Sequence, residues 1–231
     1  MKRRKMILSL LLIILLWTAD SLYSPPIRSV FQNKRNQRIL VIDAGHGGFD
    51  GGAQAEDGTS EQLINLRISE NLQALCGLFG QSSVLTRSDE NALDYVPGRT
   101  IRENKVADIK ARKRIAEESA NNVFLSIHLN KFQEPQYLGA QVFYGPVHED
   151  SRLYAESIQK SLIDGLDNSN TRKAKSAPET VYLMQQLKCP ALIVECGFLS
   201  NPEELILLQK PEYQKKLALC IFCGYLSAEQ G

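Results

Sequence analysis

Residues 39–48 read Ile-Leu-Val-Ile-Asp-Ala-Gly-His-Gly-Gly, and this stretch decides the fold class. The continuous apolar run at 39–42 is typical of a strand that is buried on both faces, as in a parallel sheet. The glycines after it predict a tight loop that carries His46 at the carboxyl end of the strand. We therefore expect an α/β protein in which this strand lies between two layers of helices.

Short apolar runs and helical patterns alternate along the rest of the chain. The further expected strands are 84–86, 123–128, 140–144, 181–184 and 191–194. The expected helices are one capped by Thr59 or Ser60 that reaches residue 79, then 108–120, 149–166, one that begins at Asn201, and 212–225. Strands that alternate with helices predict a single α/β domain over residues 38–231, with a mostly parallel (mixed) sheet of about six strands and helices on both faces.

The first 21 residues have the pattern of a targeting segment. Four basic residues at 2–5 precede an apolar run at 6–17, which is short for a membrane span. The pattern predicts a signal peptide or an uncleaved signal anchor over residues 1–21, and the polar stretch 22–37 predicts a linker. We expect export across the cytoplasmic membrane, with membrane contact only through this N-terminal segment.

Composition excludes several classes of protein. The chain has 27 basic and 26 acidic residues, whereas a nucleic-acid-binding protein usually shows a strong basic excess. Its five cysteines are an odd number and do not form the framework of a small disulfide scaffold. Cys220 and Cys223, three residues apart on an apolar helix, are expected to fill the core.

Titratable side chains follow three of the expected strands. His46, His128 and Glu195 lie where open α/β sheets bind ligands, and Glu61 opens the first helix. Two histidines and one carboxylate from separate elements suit a catalytic zinc ion, because three protein ligands leave one position for water. A second carboxylate could then move the proton of that water. Taken singly, each of these residues also fits a structural role.

Five segments carry a family resemblance. They are Val41–Ala53, Glu61 with Asn65 and Leu66, Leu85–Arg87, Ser126–Asn130 and Pro190–Asn201. In order and spacing they resemble the zinc-dependent N-acetylmuramoyl-L-alanine amidases. The resemblance implies zinc ligands at His46, Glu61 and His128 and a general base and acid at Glu195. It also implies the reaction, hydrolysis of the amide between the lactyl group of muramic acid and the L-alanine of the peptidoglycan stem peptide.

The chain is similar to the germination-specific amidases of spore formers in its short form without wall-binding repeats and in the segment 181–184. That likeness implies a role in spore-cortex maturation, where the product feeds muramic-δ-lactam formation, and a location between the forespore and mother-cell membranes. Two alternatives use the same residues: a silent amidase-fold module that binds cell wall or a partner protein, and a zinc peptidase. An accessory protein that holds the metal or the substrate is a further hypothesis.

Other polar residues have two interpretations each. Asp43 either orients the His46 ring or closes the glycine turn. The stretches 88–107 and 167–178 lack hydrophobic periodicity and are expected to form the walls of a substrate groove. Three arginines either bind stem-peptide carboxylates or lie solvated on the surface: Arg87, Arg99 and Arg172.

Overall fold

Strand β1 (Ile39–Ala44) lies inside a six-stranded sheet, between β2 (Ser83–Leu85) and β3 (Asn122–Asn130). The computed structural model describes residues 38–119 and 121–230, so the predicted leader at 1–21 and linker at 22–37 lie outside the described residues. The other strands are β4 (Gln141–Tyr144), β5 (Lys175–Ser176) and β6 (Ala191–Phe198). The described helices are α1 (Glu61–Phe79), α2 (Ile101–Ala116), α3 (Asp150–Leu166), α4 (Tyr182–Gln186), α5 (Pro202–Leu208) and α6 (Pro211–Gln230).

The sheet is mixed, with the strand order β2-β1-β3-β6-β4-β5. The four strands β2, β1, β3 and β6 pair in parallel, while β4 pairs antiparallel with β6 and parallel with β5. The parallel strands bring their carboxyl ends to one edge of the sheet, where ligands bind in such folds.

Helices cover both faces of the sheet. On one face, Leu40 and Leu125 belong to a buried cluster with Ile68 of α1, Ile158 of α3 and Ile221 of α6. A smaller cluster on the other face joins side chains of β1 and β3 to α2 and α4: Val41, Phe124, Ala116 and Met184. The predicted fold class is confirmed. None of the described helices is both long and apolar enough to cross a membrane.

The prediction of a strand at 181–184 is wrong, because residues Tyr182–Gln186 form the short helix α4. Met184 is buried and Tyr182 is exposed, as expected for one helical turn on the core. An apolar run of four residues fits either structure, since hydrophobic periodicity needs a longer window.

Helix α2 begins at Ile101, seven residues before the expected start. Thr100 and Glu103 form a capping box at its first turn, with each side chain bonded to the backbone of the other. The buried side chains of α2 include Asn104, Asp108 and Arg112, so apolar spacing did not reveal its first two turns. The predicted groove wall at 88–107 is therefore partly helical.

Strand β6 continues to Phe198, so Glu195 lies within the strand rather than after it. The helix predicted at Asn201 is confirmed, and the Asn201 side chain accepts hydrogen bonds from the backbone of Glu203 and Glu204. The core-filling prediction holds for Cys220, which is buried, and is wrong for Cys223, which is exposed.

Candidate metal centre

Three side chains from three elements meet at the carboxyl edge of the sheet. His46 follows β1, Glu61 is the first residue of α1, and His128 lies in β3. One carboxylate oxygen of Glu61 lies 2.9 Å from Nδ1 of His128, and the other lies 3.3 Å from Nε2 of His46. One donor atom from each residue lies within 4.8 Å of the other two, so the three can ligate one ion.

The backbone around this cluster requires glycine at two positions. A Cβ at Gly45 would lie 2.5 Å from the ring of His128, and one at Gly52 would lie 2.6 Å from both Glu61 Oε2 and the His46 ring. His46 itself has a left-handed backbone, with φ of 63°. The glycine-rich loop therefore serves to bring two rings and a carboxylate together.

The Glu61 carboxylate is held in place by backbone donors. Its Oε1 accepts a hydrogen bond from the Leu129 N–H at 3.0 Å, and its Oε2 accepts one from the Ala53 N–H at 2.8 Å. Burial opposes the charge, but hydrogen bonds from His128 and then His46 outweigh it and lower the pKa of Glu61 well below its usual range. The carboxylate is therefore a preformed anion at the centre of the cluster.

The His46 ring has a second acceptor, which sequence reasoning missed. Asp50, four residues on, places a carboxylate oxygen 3.1 Å from Nδ1 of His46 and also pairs with Lys105 at 3.0 Å. Such a carboxylate fixes the tautomer of a metal-binding histidine and leaves Nε2 free to ligate. Burial lowers the pKa of His46, but the bonds to Asp50 and Glu61 outweigh it and raise the pKa to about 9.

Asp43 does not orient the His46 ring, so that interpretation is wrong. Its carboxylate is buried and accepts hydrogen bonds from Thr86, Ser126 and Arg112. Burial raises its pKa, but the Arg112 charge and the hydroxyl donors outweigh this and lower it. Asp43 lies within β1 and faces α2, whereas the ring of His46 lies beyond the turn.

Two buried arginines hold the backbone of the metal-site loop. Arg112 donates to the carbonyls of Ala44 at 2.8 Å and His46 at 2.6 Å, and its Nε binds Asp108 at 2.7 Å. Arg87 donates to the carbonyls of Ala44 and Gly45. Both interpretations of Arg87, as a ligand of stem-peptide carboxylates and as a solvated surface residue, are wrong, because it is only 4% exposed and its donors are engaged.

Glu195 stands beside the cluster with an unsatisfied oxygen. It pairs in register with His128 across β3 and β6, which places both side chains on the same face of the sheet. Its Oε2 is buried and has no hydrogen-bond partner among the described residues. Burial raises its pKa to about 7, while His128 lowers it and Glu61 raises it. A buried carboxylate with a raised pKa is suited to proton transfer.

A cavity of about 300 Å³ opens beside His46 and His128, between α2 and α4. Phe124 and Ile193 of the sheet form its floor, and residues 180–184 form one wall. Within the predicted wall 88–107, Lys105 lines this cavity. The predicted wall 167–178 provides none of the residues that line it. The cavity gives a substrate access to the metal cluster.

The donor set fits zinc. Two imidazoles and one carboxylate are a common protein set for catalytic zinc, and they leave a coordination position for substrate or water. The Glu195 carboxyl group, in register with His128, supplies a proton acceptor on the same face. This arrangement is suited to metal-assisted hydrolysis.

Comparison with known proteins agrees with this chemistry. The family described as N-acetylmuramoyl-L-alanine amidase matches residues 40–225. A relative from Bacillus subtilis, the germination-specific N-acetylmuramoyl-L-alanine amidase, is 36% identical over 189 residues, which cover 82% of this chain and 78% of the relative.

Solved structures give the same result. The CwlD amidase from Clostridioides difficile, solved in complex with the GerS lipoprotein, is 38% identical with a TM-score of 0.80. The match covers 84% of this chain and 99% of that one. An N-acetylmuramoyl-L-alanine amidase from Clostridium difficile 630 is 26% identical with a TM-score of 0.73, covering 85% of this chain and 98% of that one.

Proposed function

The chain belongs to the N-acetylmuramoyl-L-alanine amidase family, and from that premise we propose that His46, Glu61 and His128 bind the zinc ion of this amidase and that Glu195 moves its protons. The reaction hydrolyses the amide between the lactyl carbonyl of muramic acid and the nitrogen of L-alanine. Water supplies a hydroxyl to the carbonyl carbon and a proton to the nitrogen. The products are a free lactyl carboxylate and a peptide that begins with L-alanine.

Zinc at this site would polarise the lactyl carbonyl and lower the pKa of water. The observation that carries the proposal is the convergence of a His-Glu-His donor set with the Glu195 carboxyl group, one oxygen of which is buried without a partner among the described residues. Asp50 holds the His46 ring by Nδ1, so that Nε2 faces the Glu61 carboxylate.

Glu195 performs the proton transfers in this proposal. Its carboxyl group accepts a proton as water attacks the lactyl carbon and then donates that proton to the leaving nitrogen. A carboxyl group with a pKa near neutrality can do both, because neither protonation state is strongly disfavoured. Bound metal would lower that pKa and favour the accepting form.

The experiment incubates the zinc-loaded protein with peptidoglycan and identifies the products by mass spectrometry. We expect free stem peptides that begin with L-alanine. Glu195→Gln should reduce the rate by about 10²–10⁴-fold while zinc stays bound, because the amide keeps the shape but cannot accept the proton. Glu203→Gln, an exposed neighbour of similar size in the first turn of α5, is the matched control and should keep full activity.

Two results would contradict the proposal. Zinc-loaded protein that releases nothing from several peptidoglycan types would favour a silent module that binds cell wall or a partner. Products cut within the peptide, with an amino acid still attached to muramic acid, would favour a zinc peptidase.

We also propose a role in spore-cortex maturation, with muramic-δ-lactam formation as the step that uses the product. The support is the likeness to the germination-specific amidase of Bacillus subtilis and to the CwlD amidase. Because that CwlD amidase was solved with a lipoprotein, an accessory lipoprotein is the proposed partner of this chain. A gene deletion should yield spores whose cortex lacks muramic-δ-lactam, and a normal cortex would contradict the role.

The proposed organisation of the chain follows from that role. Residues 1–21 would export the protein as a signal peptide or anchor, and residues 38–231 would form the catalytic domain. Residues 22–37 would be the linker between the two. Peptidoglycan lies outside the cytoplasmic membrane, so export is required for the enzyme to meet its substrate. The proposed site of action is the space between the forespore and mother-cell membranes.

A further inference from the structure

An exposed aromatic cluster lies next to the metal centre on the loop that follows β3, residues 131–139 (the 131–139 loop). Phe132 is 44% exposed and Tyr137 is 41% exposed. Their ring centroids are 5.2 Å apart, and both rings contact Phe198 at the end of β6, at 5.2 Å and 6.4 Å. Phe198 itself is buried and forms the base on which the two exposed rings rest, and we call these three residues the aromatic platform.

The platform has a fixed position relative to the proposed catalytic carboxylate. Phe198 lies three residues after Glu195 on β6, and a register shift takes up one of these residues, so the two lie about 7 Å apart along the strand pair. Phe198 pairs with Asn130, two residues after His128 on β3. The platform therefore lies on the same two strands as His128 and Glu195, closer to the carboxyl edge of the sheet.

The loop that presents the platform is exposed but firmly held. Its backbone bonds to the Ser200 hydroxyl, the Asn201 amide and the Glu204 carboxylate, which lie in the turn after β6 and the first turn of α5. Arg172 donates to the Leu138 carbonyl and places its guanidinium 4.8 Å from the centre of the Phe198 ring. These bonds preorganise Phe132 and Tyr137, so a ligand would meet rings that are already ordered.

Exposed apolar rings on an ordered loop beside an active site commonly indicate a binding surface. Their chemistry selects a ligand with a flat, weakly polarised C–H face, because the face of an aromatic ring is negative. A pyranose ring has such a face, formed by its axial C–H bonds. Tyr137 adds a hydroxyl that can bond to sugar hydroxyl groups.

We propose that the aromatic platform is a saccharide subsite, which binds the sugar next to the muramic acid whose amide is cleaved. This proposal rests on the proposed function, since only a glycan substrate carries a sugar on each side of muramic acid. The subsite makes the enzyme prefer polymeric glycan strands over a single muramoyl peptide.

The test compares two substrates: glycan strands that carry stem peptides, and N-acetylmuramoyl-tripeptide, which has a single sugar. Phe132→Ala and Tyr137→Ala should each lower kcat/KM on the strands by about tenfold, the loss of one stacking contact. Activity on the single-sugar substrate should change less than about twofold, since that substrate does not reach the platform.

Two further variants separate stacking from packing. Phe132→Trp keeps a flat aromatic face and should retain the preference for strands, whereas Phe132→Leu keeps apolar volume without the face and should lose it. Phe79→Ala is the control, because Phe79 is 63% exposed but ends α1, about 27 Å along the helix from Glu61. It should leave both substrates unaffected.

A direct binding measurement keeps the inference separate from the proposed function. Wild-type protein should bind peptide-free glycan oligosaccharides in calorimetry, and Phe132→Ala with Tyr137→Ala should weaken this binding at least about tenfold. Equal losses on both substrates, or no loss on strands, would overturn the subsite. A loss seen only with an accessory protein present would also overturn it and identify a protein-docking surface. If no substrate is hydrolysed but the oligosaccharide still binds and the double variant weakens that binding, the proposed function fails and the platform is a saccharide-binding surface without the amidase reaction.

Discussion

At the scale of a single residue, the proposed role of Glu195 conflicts with its surroundings. The reaction requires a carboxylate next to the metal ligands, but burial without a hydrogen-bond partner for Oε2 disfavours its charged form. Burial therefore raises its pKa to about 7, above the ordinary value of 4.5. The site is built at the expense of stability, as is common for catalytic groups.

This conflict predicts a pH dependence for the metal-free protein. A carboxyl group whose pKa is raised on folding contributes stability that is complete below pH 4.5 and is lost as the pH rises through about 7. Glu195→Gln removes this loss, so at pH 8 the variant should be more stable than wild type by about 1–3 kcal/mol.

The measurement is chemical unfolding of both proteins in chelator at pH 5 and at pH 8. The difference between the two proteins should grow with pH, and comparison at each pH cancels the titration of other groups. A constant difference would mean that Glu195 keeps an ordinary pKa in the folded chain.

At the scale of elements, the Arg112 side chain ties α2 to the end of β1, in addition to the apolar cluster that Ala116 shares with Val41. Arg112 joins the carbonyls of Ala44 and His46 to the carboxylates of Asp43 and Asp108, and it is 3% exposed. Helix α2 thereby holds the carbonyl of His46, whose backbone is left-handed. The sequence shows Arg112 at helical spacing, but only the tertiary contacts assign it this position.

Arg112→Lys should weaken zinc binding by about 10–100-fold while the protein stays folded. Lysine can keep one ion pair but lacks the planar set of donors that binds two carbonyls and two carboxylates at once. Competition with a chromophoric chelator measures the affinity, and circular dichroism checks the fold.

Arg114→Lys is the matched control, because Arg114 lies on the same helix in an exposed pair with Asp94. It should bind zinc as wild type does. Unchanged affinity in Arg112→Lys would show that Arg87 and the glycine loop hold His46 without α2.

At the scale of the whole molecule, the metal ligands connect distant parts of the chain. Residues 46, 61 and 128 come from a loop, a helix and a strand, and they meet only in the folded state. Zinc should therefore bind the folded protein in preference to the unfolded chain and stabilise it.

Zinc at about 1,000 times its Kd should raise the Tm by about 5–15 °C relative to chelator-treated protein. Scanning calorimetry with and without zinc measures the shift. His128→Ala should lose the shift, whereas Glu195→Gln should keep it, since Glu195 is proposed to serve the reaction and not to ligate. A full shift in His128→Ala would contradict the proposed ligand set.

The sequence by itself determined the fold class, the order of most elements and which residues could carry the chemistry. Apolar runs such as 39–42 predict buried strands because burial on both faces leaves no polar side. The glycine-rich loop predicts a tight turn, and in the structure that turn packs against the His128 ring at Gly45 and against Glu61 and His46 at Gly52. Each of these patterns involves residues that are close together in the chain, so the sequence alone is enough to predict the structure from it.

Only the tertiary structure decided the features that depend on partners distant in the chain. The start of α2 was missed because its buried face is polar, and α4 was taken for a strand because four residues show no period. Asp50 rather than Asp43 orients His46, and Arg87 is buried rather than facing substrate. Each of these depends on where a side chain finds its hydrogen-bond partners after folding, and that pairing is a property of the packed molecule.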